Sequence, residues 1–425
     1  MLELPEVVSE GKSKGRLRTV DDLINDGKNC PALEPLKWSK GEGARRVAFL
    51  CYSSGTSGLP KGVMISHRNV IANTLQTYTH EIEHRKKMTG PGGEPYTEKC
   101  LGLLPMSHIY GLVVVCHLSL YRGDGVVVLP KFEMKSFLEA ISKQRIANLY
   151  LVPPIIIMMT NSGKTLEQYD LSCVKAIFTG AAPLGEETAE DLHKMFPSWA
   201  IRQGYGLTET STVVCSTIPE DIWFGSSGSL VAGYEARLVT VEGNEITGYD
   251  QPGELWVKSP SVTLGYLNND KATRETFTDG YMRTGDEAVV RKNPKSGHEH
   301  IFIVDRIKEL IKVKGLQVAP AELEAHLLAH PAVSDCVVIG IPSDREGEVP
   351  KAFIVKSPNV GLEESDAMVK RDIARHVEKH KAKHKWLKGG IEFIDVVPKS
   401  PSGKILRRLM RDQEKEKRRK AGAKL

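Results

Sequence analysis

"YSSGTSGLPKG", residues 52–62, packs glycines, hydroxyl side chains and one lysine into a single short stretch. Gly55 and Gly58 let backbone N–H groups converge on an anion, while Ser53, Ser54, Thr56 and Ser57 add hydroxyl donors. Lys61 supplies a compact positive charge suited to a polyphosphate. In the commonest phosphate loop Gly-Lys-Ser/Thr opens a helix, and here Pro60, Lys61 and Gly62 prevent that continuation. A surface loop without a ligand is the alternative reading of the motif alone.

Working outward, residues 46–54 read as a strand entering the loop, and "HRNVIANTLQTYTHEIEHR" reads as a helix leaving it. Strand-like "CLGLLP", "GVVVLP", "NLYLVP" and "VKAIFTG" follow, interleaved with a buried apolar segment, "GLVVVCHLSLY", and helix-like "EMKSFLEAISKQ". This alternation predicts an α/β fold, a large multi-layer domain built on parallel sheets. From about Ile218 short strands and turns ("YEARLVTVEG", "GELWVKS", "EAVVRK", "HIFIVD") predict a β-rich subdomain. After "DRIKELIKVKG" a small α+β unit is expected, with a helix opening at Pro320 and strands at "DCVVIGIP" and "KAFIVKS". The domain boundary falls between residues 306 and 307, and a further helix is expected near "TVDDLINDG".

Composition narrows the function classes. The 425 residues are 40% hydrophobic and 26% charged, the balance of a globular protein. The apolar stretch "LYLVPPIIIMM" is too short to span a bilayer and carries Pro153 and Pro154, so no transmembrane segment is expected. The first residues show no basic segment leading into an apolar one, so no secretory signal is expected either. Seven scattered cysteines without a CxxC pair argue against a disulfide frame or a structural zinc site. Of the net charge of +5, residues 411–424 contribute +4, from seven basic and three acidic side chains. That concentration reads as a solvated helix or frayed end, and nucleic-acid binding is not expected. The closing "AKL" is a close variant of the Ser-Lys-Leu address read by the peroxisomal import receptor, so a peroxisomal location is expected, otherwise a cytoplasmic one.

Other stretches carry chemistry of their own. In "QGYGLTETS", Gly204 and Gly206 make a turn, Tyr205 can stack on a purine, Thr208 can bond an α-phosphate and Glu209 can hold Mg2+ through oxygen. Thr208 and Glu209 alone would equally suit a helix start. Gly180, Ala181 and Ala182 in "TGAAPL" are small enough for backbone to lie against a flat ring, or simply form a strand exit. Asp286 in "RTGD" suits ribose hydroxyls, and Lys404 after "PSG" can project from a mobile loop. A turn and a solvated charge are their plain alternatives. His326/His330 and His380/His384 have i,i+4 spacing but no third ligand in sequence, so they are expected at the surface and no zinc is predicted.

Six stretches occur in one order: "YSSGTSGLPKGV", "LLPMSHIYG", "FTGAAPL", "QGYGLTETS", "YMRTGD" with "DRIKELIKVKG", and "PKSPSGKILRR". Together, over about residues 46–411, they resemble the adenylate-forming acyl-CoA synthetases, nearest the 4-coumarate:CoA ligase-like branch. The resemblance implies a ligase that joins a carboxylate to ATP as an acyl-adenylate and then transfers the acyl group to coenzyme A. It implies that Asp286 and Arg306 hold the ribose and that Lys404 bridges the carboxylate and the α-phosphate. Lys308 would be the hinge of the small domain, with Lys312 and Gln317 facing the adenylate. Lys314, Gly315 and Lys131 would lie near coenzyme A.

His108 and Tyr110 would lie beside the bound acid, with Val213 and Val214 in the pocket wall, which implies an aromatic or medium-chain aliphatic acid. An amino-acid-activating module is disfavoured, because such modules place an aspartate near the position of His108 and are followed by a carrier segment. The chain departs from the pattern in having only 51 residues before Tyr52. The longer N-terminal part of relatives normally covers the nucleotide-binding layer, so bare apolar surface is expected here. A truncated, weakly active nucleotide-binding relative is the rival reading.

Overall fold

The protein is described by a computed structural model covering residues 19–53, 60–89, 93–357, 365–400 and 403–422. It divides into two compact units, residues 1–42 and 43–425. In the first, the expected helix is Val20–Lys28. Thr19 caps it: its hydroxyl accepts the Asp22 N–H at 3.1 Å, and the Asp22 carboxylate accepts the Thr19 N–H at 2.9 Å.

The second unit begins with an antiparallel hairpin, β1 (Val47–Ser53) and β2 (Lys61–Ser66), whose register pairs Ser53 with Lys61. The glycine loop is thus the hairpin connection, and residues 54–58 of the expected phosphate site lie outside the described residues. Ser66 then caps the helix His67–Lys87, exchanging bonds with Asn69.

A seven-stranded sheet follows: β3 (Lys99–Gly102), β4 (Gly125–Val128), β5 (Asn148–Leu151), β6 (Ala176–Thr179), β7 (Ala200–Leu207), β8 (Thr212–Ser216) and β9 (Ser229–Leu230). Its order is β4-β3-β5-β6-β7-β8-β9, parallel from β4 through β7 and antiparallel beyond. All four residues of β5 are buried, as expected of a parallel strand covered on both faces. The buried apolar segment before β4 is helical, with π geometry over Tyr110–Leu118 and α geometry over Ser119–Arg122. Glycine is required near its start, because a Cβ on Gly111 would stand 2.2 Å from the Pro105 carbonyl oxygen.

The β-rich region is a six-stranded antiparallel sheet of Glu235–Val239, Glu245–Ile246, Gly253–Lys258, Phe277–Thr278, Tyr281–Lys292 and Glu299–Arg306. The small α+β part pairs Ile311–Val313 with Leu316–Val318 and Val333–Ser343 with Gly347–Lys356, and the helix Pro320–Leu328 opens at the expected proline. Its core runs from Ile311 to Val377 and shares no buried residue with the larger core, which ends at Ile301. Of the two readings of the basic tail, a solvated helix or a frayed end, the structure has the helix, exposed along most of residues 411–420. It spans Arg407–Gly422 and is docked by buried Met410 and by Glu414, which accepts from Lys351 Nζ at 2.6 Å.

Bare apolar surface is present. Leu50 on the hairpin, Ile71 and Leu75 on the helix behind it, and Leu120 and Tyr121 beside it are exposed. Tyr78 meets Tyr121 edge-on at 5.1 Å between ring centres.

Candidate active site

The turn after β7 is forced by close approach. A Cβ on Gly206 would fall 1.5 Å from the Thr212 carbonyl oxygen, so only glycine lets β8 fold back there. Thr208–Thr210 form one tight 3-10 turn, not the start of a longer helix, and Ser211 and Thr212 follow at φ 54° and 111°. Such conformations cost free energy for residues with a Cβ and persist only when surrounding bonds hold them. Here the Ser211 hydroxyl donates to the Ser261 carbonyl at 2.9 Å and the Thr212 hydroxyl to the Ile109 carbonyl at 3.1 Å.

The result is that Thr208 and Glu209 line a cleft of about 680 Å³, with Ser53, Lys61, His108 and Lys404. Glu209 Oε1 accepts the Ser53 hydroxyl at 3.0 Å and the Tyr266 hydroxyl at 2.9 Å. Lys61 Nζ lies 4.7 Å from the centre of the Tyr266 ring. Cation, hydroxyls and carboxylate therefore meet at the mouth of the glycine hairpin.

A smaller cavity of about 220 Å³ adjoins it, lined by Ala181, Ala182, Gly204, Tyr205 and Asp286. Ala181 adopts φ 68°, a left-handed exit from β6. Asp286 and Arg306 are partners across adjacent strands, with Arg306 Nε 3.6 Å from the carboxylate. The Tyr205 hydroxyl donates to Asp286 at 2.6 Å. Burial pushes the Asp286 carboxyl above its ordinary range, and the Arg306 charge opposes that shift.

Lys404 and Arg306 line both cavities. The Lys404 ammonium is half-buried and does not project from a free loop: the turn closes on itself through Ser400 N–H to the Lys404 carbonyl, 2.8 Å, and Lys404 N–H to Ser400 Oγ, 3.2 Å. Gly403 at φ 81° sits against Val152 and Pro154. Burial first, then the Arg306 charge, lower the Lys404 pKa to about 8, against the pull of Glu309, Asp286 and Glu209. His108 is likewise held below its ordinary value by burial and by Lys404. Its Nδ1 accepts the Tyr110 N–H at 3.3 Å, so the neutral ring carries its proton on Nε2.

Sequence reasoning missed the group that seats this turn. The Arg407 guanidinium is buried between Glu309, at 2.7 Å, and Glu324, which also accepts the Val338 N–H at 2.8 Å. Burial pushes Glu324 up to about 7 despite the arginine. The only signal was the first arginine of "KILRR", just after Lys404. Tyr266 was also missed, and nothing local marks it.

Several expected site residues lie elsewhere. Tyr110, Val213 and Val214 are buried in the core and line neither of the two cavities. Tyr110 donates its hydroxyl to the Phe178 carbonyl at 2.8 Å, and Asn73 clamps the Val213 backbone at 2.7 and 3.1 Å. Gly180 is buried behind the smaller cavity, against the Tyr110 ring. Lys131 is exposed and lines neither cavity. Lys308 does line the larger cleft. Lys312 and Gln317, paired across a hairpin, line neither cavity, and the Gln317 amide, its nitrogen turned to Glu287, donates at 2.8 Å. Lys314 and Gly315 form that hairpin's tip at φ 51° and 82°, with Lys314 Nζ 3.6 Å from Glu346. Both histidines of the first i,i+4 pair, His326 and His330, are buried, not surface residues.

Residues 6–267 match the model of the AMP-binding enzyme family, and residues 322–404 match its C-terminal domain. The chain belongs to the AMP-binding enzyme family. Among curated relatives of this AMP-binding enzyme, the acyl-CoA ligase lcsD of Purpureocillium lilacinum is 47% identical over 362 residues, 84% of this chain and 91% of the relative. The acyl-CoA ligase cm3C of Cordyceps militaris is 41% identical over 399 residues, 94% of this chain; the chain thus spans 61% of that relative's length. Among solved structures, the anthranilate CoA ligase AuaEII in complex with anthranoyl-AMP superposes with a TM-score of 0.74 at 28% identity, over 86% of this chain and 66% of that one. No described helix is long and apolar enough to cross a membrane.

Proposed function

We propose that this AMP-binding enzyme is an acyl-CoA ligase. A carboxylate oxygen attacks the α-phosphorus of ATP, the bond to the β-phosphate oxygen breaks, and pyrophosphate leaves with the electron pair. The thiol of coenzyme A then attacks the acyl carbonyl, loses its proton to solvent, and AMP departs. The observation that carries this reading is Lys404, half-buried where the two cavities meet, between the Asp286–Arg306 pair and Glu209.

Asp286 and Arg306 are placed to accept and donate bonds to a ribose, with Ala181 and Ala182 against the base. Lys404 and Thr208 offset the charge that develops around the α-phosphorus, and neutral His108 stands on the carboxylate side. Glu209 suits Mg2+: its Oε1 is engaged by two hydroxyls, and magnesium typically takes one or two carboxylates plus substrate phosphates. Bound there, the ion would neutralise the leaving pyrophosphate. Lys312, Gln317, Lys314, Gly315 and Lys131 would serve the thioester step, after the small domain turns about Lys308.

The acid is aromatic or medium-chain aliphatic, a reading to which the anthranilate ligase lends support. Delivery by the peroxisomal import receptor rests on the terminal Ala-Lys-Leu, which lies outside the described residues.

The test is pyrophosphate release from MgATP with pooled acids, followed by thioester formation when coenzyme A is added. Release that requires both an acid and Lys404 is the expected result. Folded protein that releases none with any acid would favour the weakly active relative, a reading to which the exposed apolar face lends some weight.

A further inference from the structure

Neither i,i+4 pair singled out in the sequence, His326/His330 or His380/His384, is the group the fold assembles. The fold instead takes His326 from the helix Pro320–Leu328 and His376 and His380 from the helix Asp366–His380, and brings one ring nitrogen of each within 4.8 Å of the others. The rings of His326 and His376 stack at 4.1 Å, and His380 stands 5.4 and 5.2 Å from them, centre to centre. One nitrogen of each ring donates to a backbone carbonyl: His326 Nε2 to His376 at 3.4 Å, His376 Nε2 to His326 at 3.3 Å and His380 Nδ1 to His376 at 2.9 Å, so the other nitrogen of each neutral ring is unprotonated.

The other nitrogen of His326, Nδ1, is buried without a hydrogen bond among the described residues, and the Glu187 carboxylate stands 3.6 Å away. A backbone carbonyl that takes the proton of one ring nitrogen is an arrangement that orients a metal-ligating imidazole and fixes its tautomer. An unprotonated buried nitrogen with a carboxylate 3.6 Å away is unsatisfied, and a bound cation would satisfy it.

We propose that His326, His376 and His380 form a site for one borderline divalent transition ion, Zn2+ by preference, with water as the fourth ligand. Imidazole nitrogen selects this class over calcium or magnesium. Tetrahedral zinc at its usual bond lengths holds nitrogens about 3.3 Å apart. The cluster must therefore contract by rotating the half-buried His376 and the exposed His380, which unstacks the first pair. The ion would fasten the helix Asp366–His380 to the helix that carries Glu324, the partner of Arg407. Its role is to stiffen the small domain, separate from the chemistry in the cleft.

The test uses the full chain stripped by chelator and titrated with Co2+, whose tetrahedral complexes absorb strongly in the visible. One equivalent should bind with such a band, and Zn2+ should displace it and raise Tm. His376→Ala and His380→Ala should abolish both effects, while His384→Ala, outside the cluster, should keep them. His380 is exposed, so its substitution leaves the core intact, and circular dichroism confirms folding. A wild-type chain without the band, or a band that survives the His380 substitution, overturns the proposal.

Discussion

The two ends of the cleft are built differently. The end proposed for the ribose hangs on a six-stranded sheet, where Asp286 and Arg306 are direct cross-strand partners and the Tyr205 hydroxyl closes the set. The end proposed for the phosphates hangs on a two-stranded hairpin, a structure marginal by itself, with Val47, Leu50 and Tyr52 exposed on it. What holds the hairpin is tertiary. Val63 and Ile65 are buried, Met64 exchanges backbone bonds with Leu264 and Gly265 at 3.0 and 2.9 Å, and Ser53 reaches Glu209. Rigidity is thus intrinsic at one end and borrowed at the other, and Lys404 bridges the two.

Lys404→Ala should break both ends at once. Acid-dependent pyrophosphate release is expected to fall by about two to three orders of magnitude, the usual cost of removing one group aimed at transition-state charge. Circular dichroism should be unchanged.

Arg407→Ala should unseat the turn by leaving Glu309 and Glu324 buried without their cation. A loss of about 3–5 kcal/mol is expected in denaturant unfolding, because an uncompensated buried charge costs far more than a lost surface pair. Full stability in that variant would mean the turn is seated by Gly403 and Val152 alone.

The pH profile sharpens the same point. With the Lys404 pKa lowered to about 8, kcat/KM for ATP should fall above that pH, about tenfold per unit, as the ammonium is lost. Stability should move the opposite way. Between about 8 and the ordinary 10.5 the unfolded chain holds more protons at this lysine than the folded one, so folding gains as pH rises through that window. Lys404→Arg should remove the alkaline limb whatever its residual rate.

The smallest expected effects separate the two ends directly. Tyr205→Phe removes a bond to a buried carboxylate and should raise KM for ATP by about tenfold, near the ~1.5 kcal/mol of a hydrogen bond to a charged group. Ser53→Ala should cost less, because Tyr266 still donates to Glu209. Equal losses would mean that the hairpin is as rigid as the sheet.

Much of the fold was legible, because it follows from short-range rules. The helix leaving the glycine loop, Pro320 at a helix start and the apolar run of β5 are visible as local patterns. The polar site was legible for the same reason, since Gly206, Glu209, Asp286 and Lys404 each sit inside a compact motif. The acyl pocket was not. Tyr110, Val213 and Val214 are apolar or aromatic, and such residues suit a core as well as a cavity wall.

The sequence by itself determined the turns and helix starts, and the glycines placed where no side chain fits, because those depend on atoms a few residues apart. Only the tertiary structure decided which charges are buried together. It set Arg407 between Glu309 and Glu324, brought Tyr266 to Glu209, and joined His326 to His376 and His380 across two helices. Burial and pairing arise from segments far apart in the chain, and the free energy that orders these groups exists only once those segments have packed.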